Sequence, residues 1–197
     1  MMNLLNKNHP KFEPEKWNDN IFIRKSHNCY AYALNMIDNK KVKECKEKIE
    51  NNKNFCKRPQ PGLEYGYLDD LKIINYSSSM LINRIKSDNP LIKKTKLENK
   101  IEDGYYKICL FLCHIEDKHH QNINDFHFYR QDNNGFWSHK DGWRKATNKD
   151  KNNKLIINPE FTQKLYADNK YKYELVGYFK VPNESKYKKM SNISARF

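Results

Sequence analysis

The fold turns on the stretch Phe126-His127-Phe128-Tyr129-Arg130-Gln131-Asp132-Asn133-Asn134-Gly135-Phe136-Trp137-Ser138-His139-Lys140. From Phe126 to Gln131 the residues alternate with period two, as a strand requires. Phe126, Phe128 and Arg130 fall on one face; His127, Tyr129 and Gln131 fall on the other. Asn133-Asn134-Gly135 has the composition of a three-residue hairpin loop, a type I turn closed by a left-handed glycine. That loop length sets Tyr129 opposite His139. His127 is then diagonal to His139 on the same face, at roughly 7–8 Å between backbones. A loop of two or four residues would send the two histidines to opposite faces.

Working outward, Tyr105 to Ile115 reads as a strand, and Tyr173 to Val181 as the last strand, stopped by Pro182. The N-terminal half is helical in pattern. Residues 28–37 carry an apolar stripe of Ala33, Leu34 and Ile37 spaced from Tyr30, with Ser26 or Asn28 as the cap. Residues 38–57 are polar, a solvated loop or short helix. Arg58-Pro59-Gln60-Pro61-Gly62 is a rigid turn. Residues 67–86 read as an amphipathic helix buried through Leu68, Leu71, Ile74, Leu81, Ile82 and Ile85, and ended by Asp88-Asn89-Pro90. Helices first and strands later predict an α+β fold with an antiparallel sheet. At 197 residues the chain suits a single domain, residues 1–182. Residues 1–20 are expected as an extended polar lead-in anchored by Trp17, and 183–197 as a flexible tail.

The formal net charge is +13, and only 6 of the 37 cations are arginine. Nucleic-acid binders favour arginine for forked contacts to phosphate and guanine. The lysine excess therefore reads first as composition, and an anionic partner second. No apolar run reaches the length of a membrane span. The start, Met1 to Lys7, lacks the apolar stretch of a signal peptide, so a cytoplasmic or virion location is expected. Cysteines 29, 45, 56, 109 and 113 are odd in number and irregular in spacing. They are expected as free thiols in a reducing compartment.

Cys29 stands in the first turn of the first helix, after the polar Ser26-His27-Asn28. Helix-end N–H groups favour a thiolate there and can hold an oxyanion. His127 is the expected base, and His139 the residue that orients it, with Asp141 and Asn148 as alternatives. Trp17, Asn18, Asn20 and Asn28 are candidates for oxyanion support. No metal or organic cofactor is required. Cys109-x3-Cys113-His114 with His119 and His120 has a faint zinc pattern, but alternation with Ile108, Leu110 and Leu112 marks both cysteines as core. Trp137, Trp143 and Tyr129 are candidates for a cleft lining or, by default, for buried sheet aromatics.

A cysteine at a helix start, a histidine on a strand and a polar residue about a dozen positions later on the next strand resemble the NlpC/P60 superfamily and its CHAP relatives. Arg58-Pro59-Gln60-Pro61-Gly62 is similar to the Pro-Gly turn that leads into that family's sheet. The resemblance spans about residues 26–181. It departs at the nucleophile, where Asn28-Cys29-Tyr30-Ala31 stands in place of Asp-Cys-Ser-Gly, and Leu63-Glu64 replaces the Gly-Asp pair. It implies a papain-like cysteine peptidase or amidase acting through an acyl-thioester on a peptide, protein or peptidoglycan-like substrate. Cys29, His127 and His139 would take the three catalytic roles. Alternatives are an acyltransferase on the same fold, or a basic nucleic-acid-binding or virion structural protein with an idle site.

Overall fold

The computed structural model describes residues 9–53, 55–66, 76–116, 122–166 and 170–190. Helices come first and strands later: α1 (Pro14–Asn18), α2 (Ile21–Ser26), α3 (Cys29–Ala33), α4 (Asn39–Glu50) and α5 (Ser78–Asp88) precede β1 (Lys93–Thr95), β2 (Tyr105–Glu116), β3 (Asn122–Gln131), β4 (Trp137–Lys140) and β5 (Ala146–Thr147). Then α6 (Pro159–Tyr166), β6 (Tyr171–Pro182) and a short 3-10 turn at Ser185–Tyr187 complete the order. The six strands form one sheet in the order β1-β6-β2-β3-β4-β5, antiparallel throughout.

The β3–β4 hairpin has the expected loop. Asp132 and Phe136 close it through the bond from Asp132 N–H to Phe136 O, and Gly135 takes φ 83°. The register follows from that length: Tyr129 faces His139, Arg130 faces Ser138, and Gln131 faces Trp137. One face of the sheet packs on α3 and α5, with Ile108, Leu110, Leu112, Phe126 and Phe128 meeting Tyr30, Leu34, Leu81 and Ile85. The opposite face buries Cys109, Phe111, Tyr129, Trp137 and Tyr178 against Ile156. Alternation along β2 and β3 is thus read out as two separate cores.

Several expectations need correction. The helix expected first, over 28–37, is the third and is shorter: α3 ends at Ala33, and Asn35 turns the chain at φ 51°. Asparagine tolerates that left-handed region better than most residues. Residues 14–18 of the lead-in are helical, and Trp17 is buried against Tyr32 and Ala146. Of the helix expected over 67–86, Ser78–Asp88 is helical, while Leu68, Leu71 and Ile74 lie outside the described residues. Residues 183–190 are not a loose tail. Lys189 N–H donates to Asn89 Oδ1 at 2.7 Å, Asn89 Nδ2 donates back to Lys189 O, and Met190 is in the core. Finally, Cys45 and Cys56 form a disulfide, which closes an eleven-residue separation between α4 and the following segment. The free thiols are Cys29, Cys109 and Cys113, all buried.

Candidate active site

Cys29 is the first residue of α3. Asn28 caps that helix, accepting from Ala31 N–H, while its Nδ2 donates to Pro59 O at 2.8 Å. The Pro-rich turn is in turn fixed by Asp88 at the end of α5, which accepts from Gly62 N–H and Tyr65 N–H. Thus α5, the 58–66 turn and α3 are tied together around the cysteine. His27, just before, is neutral and fully engaged: its Nε2 accepts from Asp38 N–H at 2.9 Å, and its Nδ1 meets Ser26 Oγ and Ile23 O. Burial lowers its pKa to about 4.

His127 and His139 meet as the register requires, with His127 Nε2 2.8 Å from His139 Nδ1. The rings are nearly perpendicular, and His139 stacks on Tyr129. Burial depresses His127 to about 4 and His139 to about 3, His127 adding to the depression of the latter. Both are therefore neutral at pH 7. Tyr129 donates its hydroxyl to Gln163 of α6, which pins the covering helix over this face.

Cys29 approaches from the other side of the sheet. It belongs to the core shared with Phe126 and Phe128, and its Sγ lies 3.8 Å from Phe126 O. Strand β4 stops at Lys140, so Phe126 lies beyond the reach of its pairing. At this bare end of the hairpin the thiol and the imidazole, from opposite faces, line one cavity of about 300 Å³ together with Asn28, Arg58, Asp125 and Asp141. A second cavity of about 570 Å³ shares His127 and Asp141 and adds His139, Gln163, Tyr166 and Tyr173. The cleft is thus walled by both faces of the sheet, with His127 between.

The thiol's hydrogen bond goes to the Phe126 carbonyl and not to the imidazole. Burial pushes the Cys29 thiol well above its ordinary pKa, and Asp125 pushes it further. The expected lowering by a helix start does not prevail, because α3 has only five residues and the site is almost dry. The resting site is a neutral thiol beside a neutral imidazole.

Of the oxyanion candidates, Asn28 alone is among the residues lining the two cavities. Asn18 is spent on Ala146, Asn20 caps α2, and Trp17 is buried in a separate cluster. Asp141 lines both cavities, though it is exposed and faces Arg144 at 3.6 Å. Asn148 lies off the cleft, its carbonyl accepting from Ile156 N–H. Of the aromatic candidates, Tyr129 lines the larger cavity, Trp137 is buried and Trp143 is exposed. Cys109 and Cys113 are buried on β2, and among the described residues no cluster of three potential metal ligands occurs; His119 and His120 lie outside them. Among the described residues no helix is long and apolar enough to cross a membrane.

Lys140 was not foreseen. It is buried on the α3 side of the hairpin and donates to the carbonyls of Arg24, His27 and Gly142. A signal existed: Ser138 and Lys140 alternate with His139, which places a lysine on a core-facing position.

No protein-family profile matches the chain, and no solved structure matches it. Over 151 residues, 76% of this chain and 78% of the relative, the sequence is 29% identical to insoluble matrix shell protein 1 of Ruditapes philippinarum.

Proposed function

We propose that the chain is a papain-like thiol hydrolase of the NlpC/P60 type that cuts amide or peptide bonds. The observation that carries this reading is the buried imidazole pair, His127 Nε2 to His139 Nδ1 at 2.8 Å, on the wall of a cavity that also holds Cys29. A histidine with one nitrogen tied to a second polar group and the other free is the arrangement a thiol's base needs. In this reading His127 Nε2–H donates to His139 Nδ1, which leaves His127 Nδ1 as the acceptor. Cys29 Sγ attacks the substrate carbonyl as its proton passes to His127 Nδ1. The tetrahedral intermediate collapses when His127 returns that proton to the leaving amine. The acyl-thioester is then hydrolysed by a water that His127 deprotonates, which releases the acid and restores the thiol. With the thiol pKa raised and the imidazole lowered, this is general-base catalysis from a neutral pair, without a standing thiolate.

The test is a peptide-like acyl probe followed by mass spectrometry of the intact fold. Label on Cys29 that requires His127 supports the hydrolase; preferential label on Cys109 or Cys113 removes it. The likeness to a shell matrix protein favours a second reading, a structural component of a matrix whose cleft is idle. That reading wins if the folded chain leaves the probe unreacted at all three thiols.

A further inference from the structure

Lysine is seldom fully buried, and when it is, a carboxylate usually accompanies it. Lys140 is 0% exposed. Its ammonium meets three backbone carbonyls: Arg24 O at 2.7 Å, Gly142 O at 2.7 Å, and His27 O. Among the described residues it has no carboxylate within ion-pair distance. The carbonyls satisfy its three N–H donors but leave its charge uncompensated. Their positions are informative. His27 lies two residues before the nucleophile, and Gly142 lines the same cavity as Cys29, beside Asp141. Through the alternation of β4, Lys140 is on the same side of the sheet as Cys29, whereas the histidines are on the other.

We propose that Lys140 is a positioning residue for the nucleophile, its ammonium tying the turn before Cys29 to the Gly142 segment of the cleft and offsetting the negative charge that develops on Sγ. The proposal rests on the reading of Cys29 as the nucleophile. As the cysteine gives up its proton to a neutral histidine, negative charge grows on Sγ in step with positive charge on the imidazole across the sheet. Lys140, when protonated, is a second cation on the thiol's own side. The remaining charges around the pair act against the thiolate or against the lysine. Asp125 on β3 and Asp141 after β4 raise the thiol pKa, while Arg58 and Arg24 lower that of the ammonium. Burial brings Lys140 down to about 7, and Cys29 counters that by favouring its charged form. The two groups are therefore linked, each favouring the charged state of the other.

The experiment is the pH dependence of Cys29 alkylation by iodoacetamide, a neutral reagent that requires no turnover. Below pH 7, where the ammonium is charged, Lys140→Met should slow alkylation about tenfold, and the difference should vanish above about pH 8, where Lys140 is neutral. A rate ratio that stays constant across pH 7 overturns the proposal, because a purely structural lysine would alter access equally at every pH. If Lys140→Met does not fold, the wild-type profile decides: the logarithm of the rate should climb with a slope below one as pH passes through 7 and the ammonium is lost. A unit slope throughout overturns the proposal. A pH-dependent ratio with no acyl-probe labelling would leave the lysine's role standing and remove the hydrolase reading instead.

Discussion

The β3–β4 hairpin carries two buried polar clusters, one at its closed end and one at its open end, and they differ in what lies beside them, packed protein at the first and a cavity at the second. At the closed end the Arg130 guanidinium is saturated. Its Nε and Nη2 donate to Asp132 Oδ1, Nη1 donates to Asn35 Oδ1, and Nη2 also reaches Lys11 O and Tyr32 Oη. It also lies 4.3 Å from the centre of the Tyr32 ring. At the open end, the Cys29 thiol meets the Phe126 carbonyl and one side of His127 faces a cavity. Both clusters are buried and both hang on the same strands. A guanidinium fully engaged by protein fixes structure, while an imidazole and a thiol beside a cavity have valence left for a ligand.

That contrast can be broken most sharply at Cys29. Cys29→Ala should reduce hydrolysis by about 10⁴ or more while changing stability by only about 1 kcal/mol, read from denaturant unfolding and product assays. If the variant unfolds, the thiol is part of the core and the open end is structural as well. Next in size is Arg130→Met, which leaves Asp132 buried without its cation. It should cost about 3–5 kcal/mol of unfolding free energy. A variant of near wild-type stability would show that the closed end is dispensable and the comparison empty.

The two histidines should not be equivalent. His127→Ala should remove nearly all activity. His139→Asn should retain about a tenth, because an amide oxygen can still accept the His127 N–H; His139→Ala should retain about a hundredth. Equal losses in the two His139 variants would end its orienting role.

The smallest effect is in the acid limb of stability. His127 and His139 have folded pKa values near 4 and 3 against 6.5 in the unfolded chain. Protonation therefore favours unfolding. Their contribution is fully present above pH 6.5 and is lost as pH falls toward 4. His139→Asn should reduce the slope of stability against pH in that window by about one proton, measured by thermal unfolding at stepped pH. An unchanged slope would mean that the histidine is already charged in the fold.

The hairpin and its histidine pair were legible because a three-residue loop with glycine last fixes the register, and a period of two does the rest. Asn28 as a cap was legible for a similarly local reason. What escaped depends on distant partners. Nothing local in Cys45 and Cys56 signals that α4 returns its neighbour within bonding distance of the next segment. The thiol pKa of Cys29 was misjudged because burial by Phe126, a residue 97 positions away, outweighs a helix start that sequence suggested would be longer. Lys140 escapes for the same reason, since its three carbonyls come from Arg24, His27 and Gly142, groups that composition cannot reveal. The packed segment at 183–190 escapes because its anchor, Asn89, reads locally as a helix stop.

The rims of the sheet have a consequence for assembly. β1 offers three residues, two of them exposed lysines, and β5 offers two, followed along that side by the single bridge of Trp137 to Ile156. The two residues of β5 give an incoming strand little to pair with, and bringing the exposed lysines of β1 from two copies together is repulsive. Growth of a backbone ladder at β1 or β5 is thus disfavoured. Copies that met at those two strands would be joined through side-chain contacts or cross-links, and their spacing would be that of whole domains, not the 4.7–4.9 Å interval of neighbouring strands.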